Sequence, residues 1–576
     1  MKQLMSNFKG YYKELILGPV FKLTEAVFEL FVPLIMARMI DIGIANKDTG
    51  YIIQNGLLLV LLGALGLAAA LTCQYFASRV AQGFGYSLRK KLFHHVFRLS
   101  EREYGKIGTD SLITRLTNDV NQVQTGVNMF IRLAIRAPFL AIGSIIMAMT
   151  INLKIGLIFL VSTPLIVLVL YIIMNRSVPF YGRIQQKQDR ISRLAGENLE
   201  GVRVIRAFSK QESEVRQFDQ TGNELADVTI RVGKISAALN PITYVIVNLA
   251  IVAIVWMGSQ YANLGILASG DITALVNYMS QTLLALIVLA NLIVLFTKAI
   301  ASAKRVCEVL DLQPSMAAPE QTPAAPGSED KIRFQDVCFS YHGTENALEG
   351  ITFSLGRGQT LGIIGGTGCG KTTLVQLLNR FYDVGSGSIS VDGIPVQDYR
   401  LEDLRGKIGL VPQAARLFSG TLRENLKIAD PEAGDTTLWH ALEVAQGKEF
   451  AEALPDGLDT RLDEGGKNLS GGQKQRLTIA RALVKDPEIL VLDDSASALD
   501  YATDAALRRA LKAENRERTV LMISQRASTI KNADRILVLD DGCQAGLGTH
   551  EELLASCPVY REICESQGLI TKEADA

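Results

Sequence analysis

Up to about residue 300 the apolar residues run in long, nearly unbroken stretches; beyond about 330 they fall into short segments that alternate with polar ones. A helix that crosses a bilayer needs about 20 mostly apolar residues. Six stretches meet that requirement, roughly 15–37, 55–78, 131–151, 154–174, 239–262 and 272–296. Runs such as "GLLLVLLGALGLAAAL" and "IGLIFLVSTPLIVLVLYIIM" are apolar all round, with no polar face to give to water, so a buried helical core does not explain them. Between the spans, residues 79–130 and 175–238 keep a helical period with few Gly or Pro breaks. They are therefore expected to be helices that continue out of the membrane rather than loose loops.

Charge orients this half. Lys2, Lys9 and Lys13 precede the first span, "RKKLFHHVFR" follows the second, and 176–234 is rich in Lys and Arg. The connections "TINLK" and "NLGILASGD" carry little or no positive charge. Positive residues stay on the cytoplasmic side, which places the N-terminus, both long connections and the C-terminal half in the cytoplasm. The N-terminal stretch lacks a cleavage pattern, so no removable signal peptide is expected. In the first span Glu25 and Glu29 share a helix face with Lys22 close by. Ionisable groups at membrane depth are costly and face a bundle interior or a wet cavity. Two readings stand: a polar contact for substrate or proton coupling, or ion pairs within the helix or to a neighbour.

Composition agrees with this division. Hydrophobic residues make up 48% of 576, and mean hydropathy is +0.20, high for a chain that is 20% charged. Net charge is zero, which gives no sign of a nucleic-acid partner. The seven cysteines are scattered without a C-x-x-C pair, against a disulfide framework or zinc site and in keeping with a reducing compartment.

The segment "QPSMAAPEQTPAAPGSED", 313–330, is rich in Pro, Ala and Ser, lacks periodicity and is expected to be a linker between domains at 1–312 and 331–576. After it, "IRFQDVCFSY" and "QTLGIIG" read as strands that alternate with helical patterns, an α/β nucleotide-binding arrangement. The expected fold is thus a six-helix all-α transmembrane domain followed by an α/β P-loop ATPase domain. "GGTGCGKTTLVQLL", 365–378, fits G-x-x-x-x-G-K-[ST] after a strand and at the start of a helix. Gly365, Gly366, Thr367, Gly368, Cys369 and Gly370 would wrap backbone N–H groups around phosphates, aided by the helix N-terminus. Thr373 follows in the same turn. Lys371 would neutralise the outer phosphates and Thr372 would offer its hydroxyl to Mg2+. In "ILVLDDSASALD", a strand ends in Asp493, for the metal, and Asp494. The cofactors expected are therefore ATP and Mg2+.

"NLSGGQKQRLTIARALVKDPEILVLDDSASALD" resembles the signature and Walker B region of ABC transporter ATPases, and Leu469 to Gln473 match LSGGQ without departure. The resemblance extends over nearly the whole chain, since six spans with long cytoplasmic hairpins look like the type IV exporter fold. "GTDSLITRLTNDV" (108–120) and "ENLEGVRVIRAFSKQ" (197–211) look like its coupling regions. The resemblance implies that Tyr341 stacks on adenine and that Gln413 touches metal and γ-phosphate. It further implies that Ser470, Gly471, Gly472 and Gln473 face the ATP of an opposite subunit, and that the segment ending at Asp500 crosses between the two sites. Two positions depart from the family: its catalytic Glu is Asp494 here, and its switch His is Gln525.

A general base must lie within about 2.6–3.2 Å of its water. One methylene fewer withdraws the carboxylate by about 1.5 Å, and Gln can neither become cationic nor relay a proton. An ATP site that binds but hydrolyses weakly is expected, completed by a second ABC half-transporter, as a heterodimer or a homodimer. The same resemblance implies export of an amphipathic drug, lipid or peptide across the bacterial cytoplasmic membrane, in contact with lipid. An ATP-binding sensor and an importer on the exporter fold remain as alternatives. Cys369, inside the P-loop, is either a small filler or a thiol whose pKa the helix end lowers.

Overall fold

The computed structural model describes residues 2–316, 319–341, 343, 345–495, 497–514 and 517–570, the side chains of 2, 3 and 178 excepted. Positions 317 and 318 of the expected linker lie outside the described residues. Two compact units divide the chain: residues 1–97 with 108–312, and residues 98–107 with 313–576.

The first unit is helical. Its main elements are α1 (Tyr12–Arg38), α2 (Thr49–Val96), α4 (Thr109–Ile151), α5 (Leu153–Glu200), α6 (Gln211–Asn263) and α7 (Ser269–Asp311); α3 (Glu101–Ile107) belongs to the second unit. Among the described residues, α2, α4, α5, α6 and α7 are long and apolar enough to cross a membrane. Their large apolar side chains point outward, as at Val60, Leu71, Val161 and Trp256, each 61–71% exposed. That surface suits lipid rather than water. The long connections are helical as the periodicity requires: α2 and α5 each run unbroken for 48 residues.

The stretch at 15–37 also folds as one helix, α1, but it does not join the five, because Lys22, Glu25 and Glu29 interrupt its apolar run. The structure pairs these charges. Lys22 Nζ lies 2.5 Å from Glu25, and Arg136 on α4 donates to Glu29 at 2.6 Å. Both pairs match the second reading of these residues, one within the helix and one to a neighbour.

In the second unit ten strands among the described residues form one sheet in the order β5-β4-β1-β2-β12-β11-β3-β10-β9-β6. They are β1 (Asp330–Phe339), β2 (Leu348–Gly356), β3 (Thr360–Gly365), β4 (Ser386–Val391), β5 (Ile394–Pro395), β6 (Ile408–Val411), β9 (Ile489–Asp493), β10 (Thr519–Ile523), β11 (Arg535–Asp540) and β12 (Cys543–Gly548), with β7 (Gly420–Thr421) and β8 (Arg461–Leu462) paired apart. β6, β9, β10, β3 and β11 are parallel neighbours. All five residues of β9 are buried, the near-continuous apolar run of a strand covered on both faces. β1, β2, β4 and β5 pair antiparallel, and β1 shows the mixed burial of a sheet with one wetter face.

Candidate nucleotide site

Parallel pairing sets the site. Ile363 of β3 and Asp493 of β9 both pair with Ile523 of β10, and Val411 of β6 pairs with Leu492. The segments that leave these strands at their C-terminal ends, 365–372, 493–495, 524–526 and 412–413, therefore emerge side by side, where open parallel sheets bind ligands. Sequence separation of up to 160 residues is thus erased by register alone, as about one strand spacing of 4.8 Å separates each neighbour.

The P-loop joins β3 to α8 (Lys371–Leu378). Gly370 caps α8 at φ +95°, a left-handed conformation that glycine adopts without strain. A side chain there would meet Leu348 at 2.5 Å. Gly366 and Gly368 have open space around the position a Cβ would take, as a loop needs if phosphate is to approach its backbone. Lys371 is buried, with Nζ donating to the carbonyls of Gly365 (2.9 Å) and Gly366 (2.5 Å). Its ammonium therefore lies inside the loop. Cys369 Sγ sits 3.5 Å from that ammonium and is 5% exposed. The side chain fills the underside of the loop, which favours the filler reading.

The Thr372 hydroxyl lies near enough to the Asp493 carboxylate to favour its charged form. Burial, reinforced by Asp494, pushes Asp493 above its ordinary value against the pull of Thr372 and Lys371. A carboxylate so desolvated favours a cation nearby. Mg2+ is commonly held by one or two carboxylates together with substrate phosphates, so Thr372 and Asp493 suit MgATP, and the open glycine loop suits its phosphates.

Asp494 stands at φ +46°, a region where Asp is commoner than most non-glycine residues. Its N–H donates to the Ile523 carbonyl at 3.1 Å, which pins it to β10. Gln525 meets it through its side chain, with Nε2 approaching Oδ2 at 3.4 Å. Burial raises the Asp494 pKa while the Gln525 contact and Lys371 hold it back. The two departures from the family are therefore partners of one another. Gln413 is exposed just beyond β6.

Tyr341 follows β1, and its hydroxyl reaches back to α8, 3.1 Å from Thr373 Oγ1 and donating to Gln376 at 2.6 Å. Its ring meets Phe339 and Tyr382 edge-on. Beside it lies a cavity of about 220 Å³ whose lining includes Ser100, Arg102, Ser315, Phe339 and Tyr382. Glu103 of α3 is buried there and accepts from Ser100 and from the Ser315 hydroxyl (3.3 Å) and N–H (3.4 Å). Residues 98–107, just before the expected coupling region at 108–120, group with the ATPase residues. No motif announced it, because one buried Glu in a polar helix leaves no periodic signal.

The signature residues lie at the head of α9 (Gly471–Leu483). Ser470 caps it, accepting from Gln473 N–H at 3.3 Å while Gln473 Oε1 accepts from Ser470 N–H at 2.9 Å, a reciprocal capping box. Ser470 and Gly471 are exposed, so the helix N-terminus faces outward, ready for an anion. Among the described residues no hydrogen bond joins this group to Lys371, Asp493 or Asp494. Asp500 accepts from Thr503 and caps α10 (Tyr501–Glu514).

Residues 15–286 match the ABC transporter transmembrane region and 348–497 match the ABC transporter ATPase region. An uncharacterized ABC transporter ATP-binding protein of Mycobacterium tuberculosis is 36% identical over 98% of both chains. This chain belongs to the ABC transporter family. A lipid A-core flippase of Vibrio parahaemolyticus is 29% identical over 98% of this chain and 97% of its own. In fold, the ABC transporter resembles a bacterial Atm1-family exporter solved with ATP bound, at TM-score 0.83 and 24% identity, covering 96% of this chain and 99% of that one. It is therefore a multi-span protein with the exporter fold and an ATP-binding ABC domain on the cytoplasmic side of a bacterial membrane.

Proposed function

We propose that this ABC transporter is one half of an ATP-driven exporter of an amphipathic compound such as a drug, lipid or peptide. In this reading its own Walker site binds MgATP and turns it over slowly. A second half-transporter supplies Walker motifs that this chain's intact signature completes.

The observation that carries the asymmetric reading is the pairing of Asp494 with Gln525. A carboxylate one methylene short, engaged by a neutral amide, is poorly placed to take a proton from an attacking water. The phosphate and metal groups around it keep the arrangement that binding requires. The lipid named for the Vibrio relative, together with the outward apolar surface of the helices, supports an amphipathic substrate.

The test is the Mg2+-dependent ATPase rate of the chain purified alone in lipid. A rate near background with MgATP still bound is expected. A robust rate would mean that Asp494 is a competent base and that the chain works as a homodimer.

A further inference from the structure

The switch segment 524–526 leaves β10 with Gln525 and Arg526 both exposed. Its position is held by a residue that no motif includes. Gln567 Nε2 donates to the Gln525 carbonyl at 2.7 Å, and its Oε1 accepts the Ala527 N–H at 2.8 Å. One carboxamide thus grips the backbone on both sides of Arg526.

We infer that Gln567 is a positioning residue for the switch: it fixes the backbone so that residue 525 faces residue 494, a placement that serves ATP hydrolysis once those positions hold His and Glu. A carboxamide carries a donor and an acceptor at fixed separation, and a backbone C=O with the N–H two residues on presents the complementary pair. Gln567 is itself exposed, so water could satisfy it. Holding one rotamer costs entropy, and the two backbone bonds offset that cost. The base of the grip is firm. Gln567 ends the helix α11 (Pro558–Ser566), whose Tyr560 and Cys564 are fully buried. His550 Nδ1 pairs with the Tyr560 hydroxyl at 2.8 Å, and Leu569 and Ile570 pack on the same core. The C-terminal helix is thereby tied to the switch segment, 42 residues earlier in the chain at the Gln567–Gln525 contact.

The inference rests on the reading of positions 494 and 525 as the hydrolytic pair when they hold Glu and His, and the experiment separates the two. The full chain carrying Asp494→Glu and Gln525→His is reconstituted in lipid nanodiscs, with Gln567 as Gln, Ala or Glu. Gln567→Ala should lower kcat about tenfold with KM for ATP within about twofold, since two backbone bonds are lost and the phosphate site is untouched. Gln567→Glu, which keeps only the acceptor, should fall between. An active Asp494→Glu/Gln525→His background in which Gln567→Ala leaves kcat unchanged overturns the inference. So does a parallel loss of kcat, ATP affinity and Tm, the signature of general destabilisation.

An inactive background would instead count against the hydrolytic-pair reading. Hydrogen exchange then decides the grip by itself. The Ala527 amide should exchange faster in Gln567→Ala than in the otherwise unaltered chain, and equal rates would overturn it.

Discussion

At the scale of single residues, the proposed function divides the candidate nucleotide site into side chains that bind and two, Asp494 and Gln525, that hydrolyse poorly. Lys371 lies within the P-loop, on the Gly365 carbonyl, and under the proposed function it and Thr372 with Asp493 hold phosphate and metal. Asp494 and Gln525 face each other where the family has Glu and His. Restoring both, Asp494→Glu with Gln525→His, should raise the ATPase rate of the chain alone by about 10²-fold, the usual contribution of a positioned general base. Steady-state phosphate release measures it. Restoring Glu alone should recover less, because Gln525 would still engage the carboxylate as a neutral donor.

At the scale of elements, the antiparallel strands are fastened to the parallel ones by charge. Lys331 of β1, 3% exposed, meets Asp392 after β4 at 2.8 Å and also Glu488 before β9. Lys407 reaches both carboxylates, Asp392 at 2.8 Å and Glu488 at 3.1 Å. Burial opposes ionisation of Asp392 and Glu488, yet the hydrogen bonds from Lys331 and Lys407 outweigh it and hold both below their ordinary values of 3.8 and 4.5. The sign follows. Their stabilisation is complete above those ordinary values and is lost as pH falls through the lowered ones. Lys407 is raised above 10.5 by the same partners despite burial, so its share is complete below that pH and lost as pH rises through the raised value. Lys331→Met should destabilise the domain by about 2 kcal/mol, since it removes the buried cation from Asp392 and leaves Lys407 and Arg357 to hold the carboxylate. It should also flatten the acid limb of the stability curve, which denaturant titrations between pH 3 and pH 7 check.

At the scale of the whole molecule, the exposed, capped signature and the Walker pair do not meet by any hydrogen bond within the described chain. Under the proposed function, a second half-transporter supplies each with its counterpart. In a verified assembly with a second half-transporter, Ser470→Ala should lower ATP turnover by about tenfold or more, as loss of a donor at a reacting phosphate does. Asp494→Ala should leave turnover within about twofold. The opposite ranking would remove the asymmetric account.

Much of this protein was legible in sequence because its signals are local. An all-apolar run is a span wherever it occurs, and Gly-x-x-x-x-Gly-Lys-Thr bends around phosphate through its own backbone. Six helical stretches, the P-loop and the capped signature needed no knowledge of distant contacts. Tertiary structure decided what depends on partners far along the chain. Register brought Asp493 beside Thr372, and helix packing gave Glu29 its Arg136. Folding also returned the C-terminal helix so that Gln567 could hold the backbone around Gln525. A backbone carbonyl accepts from any donor that reaches it, so such a contact leaves no mark in composition or period. Only the folded chain determines which side chain arrives.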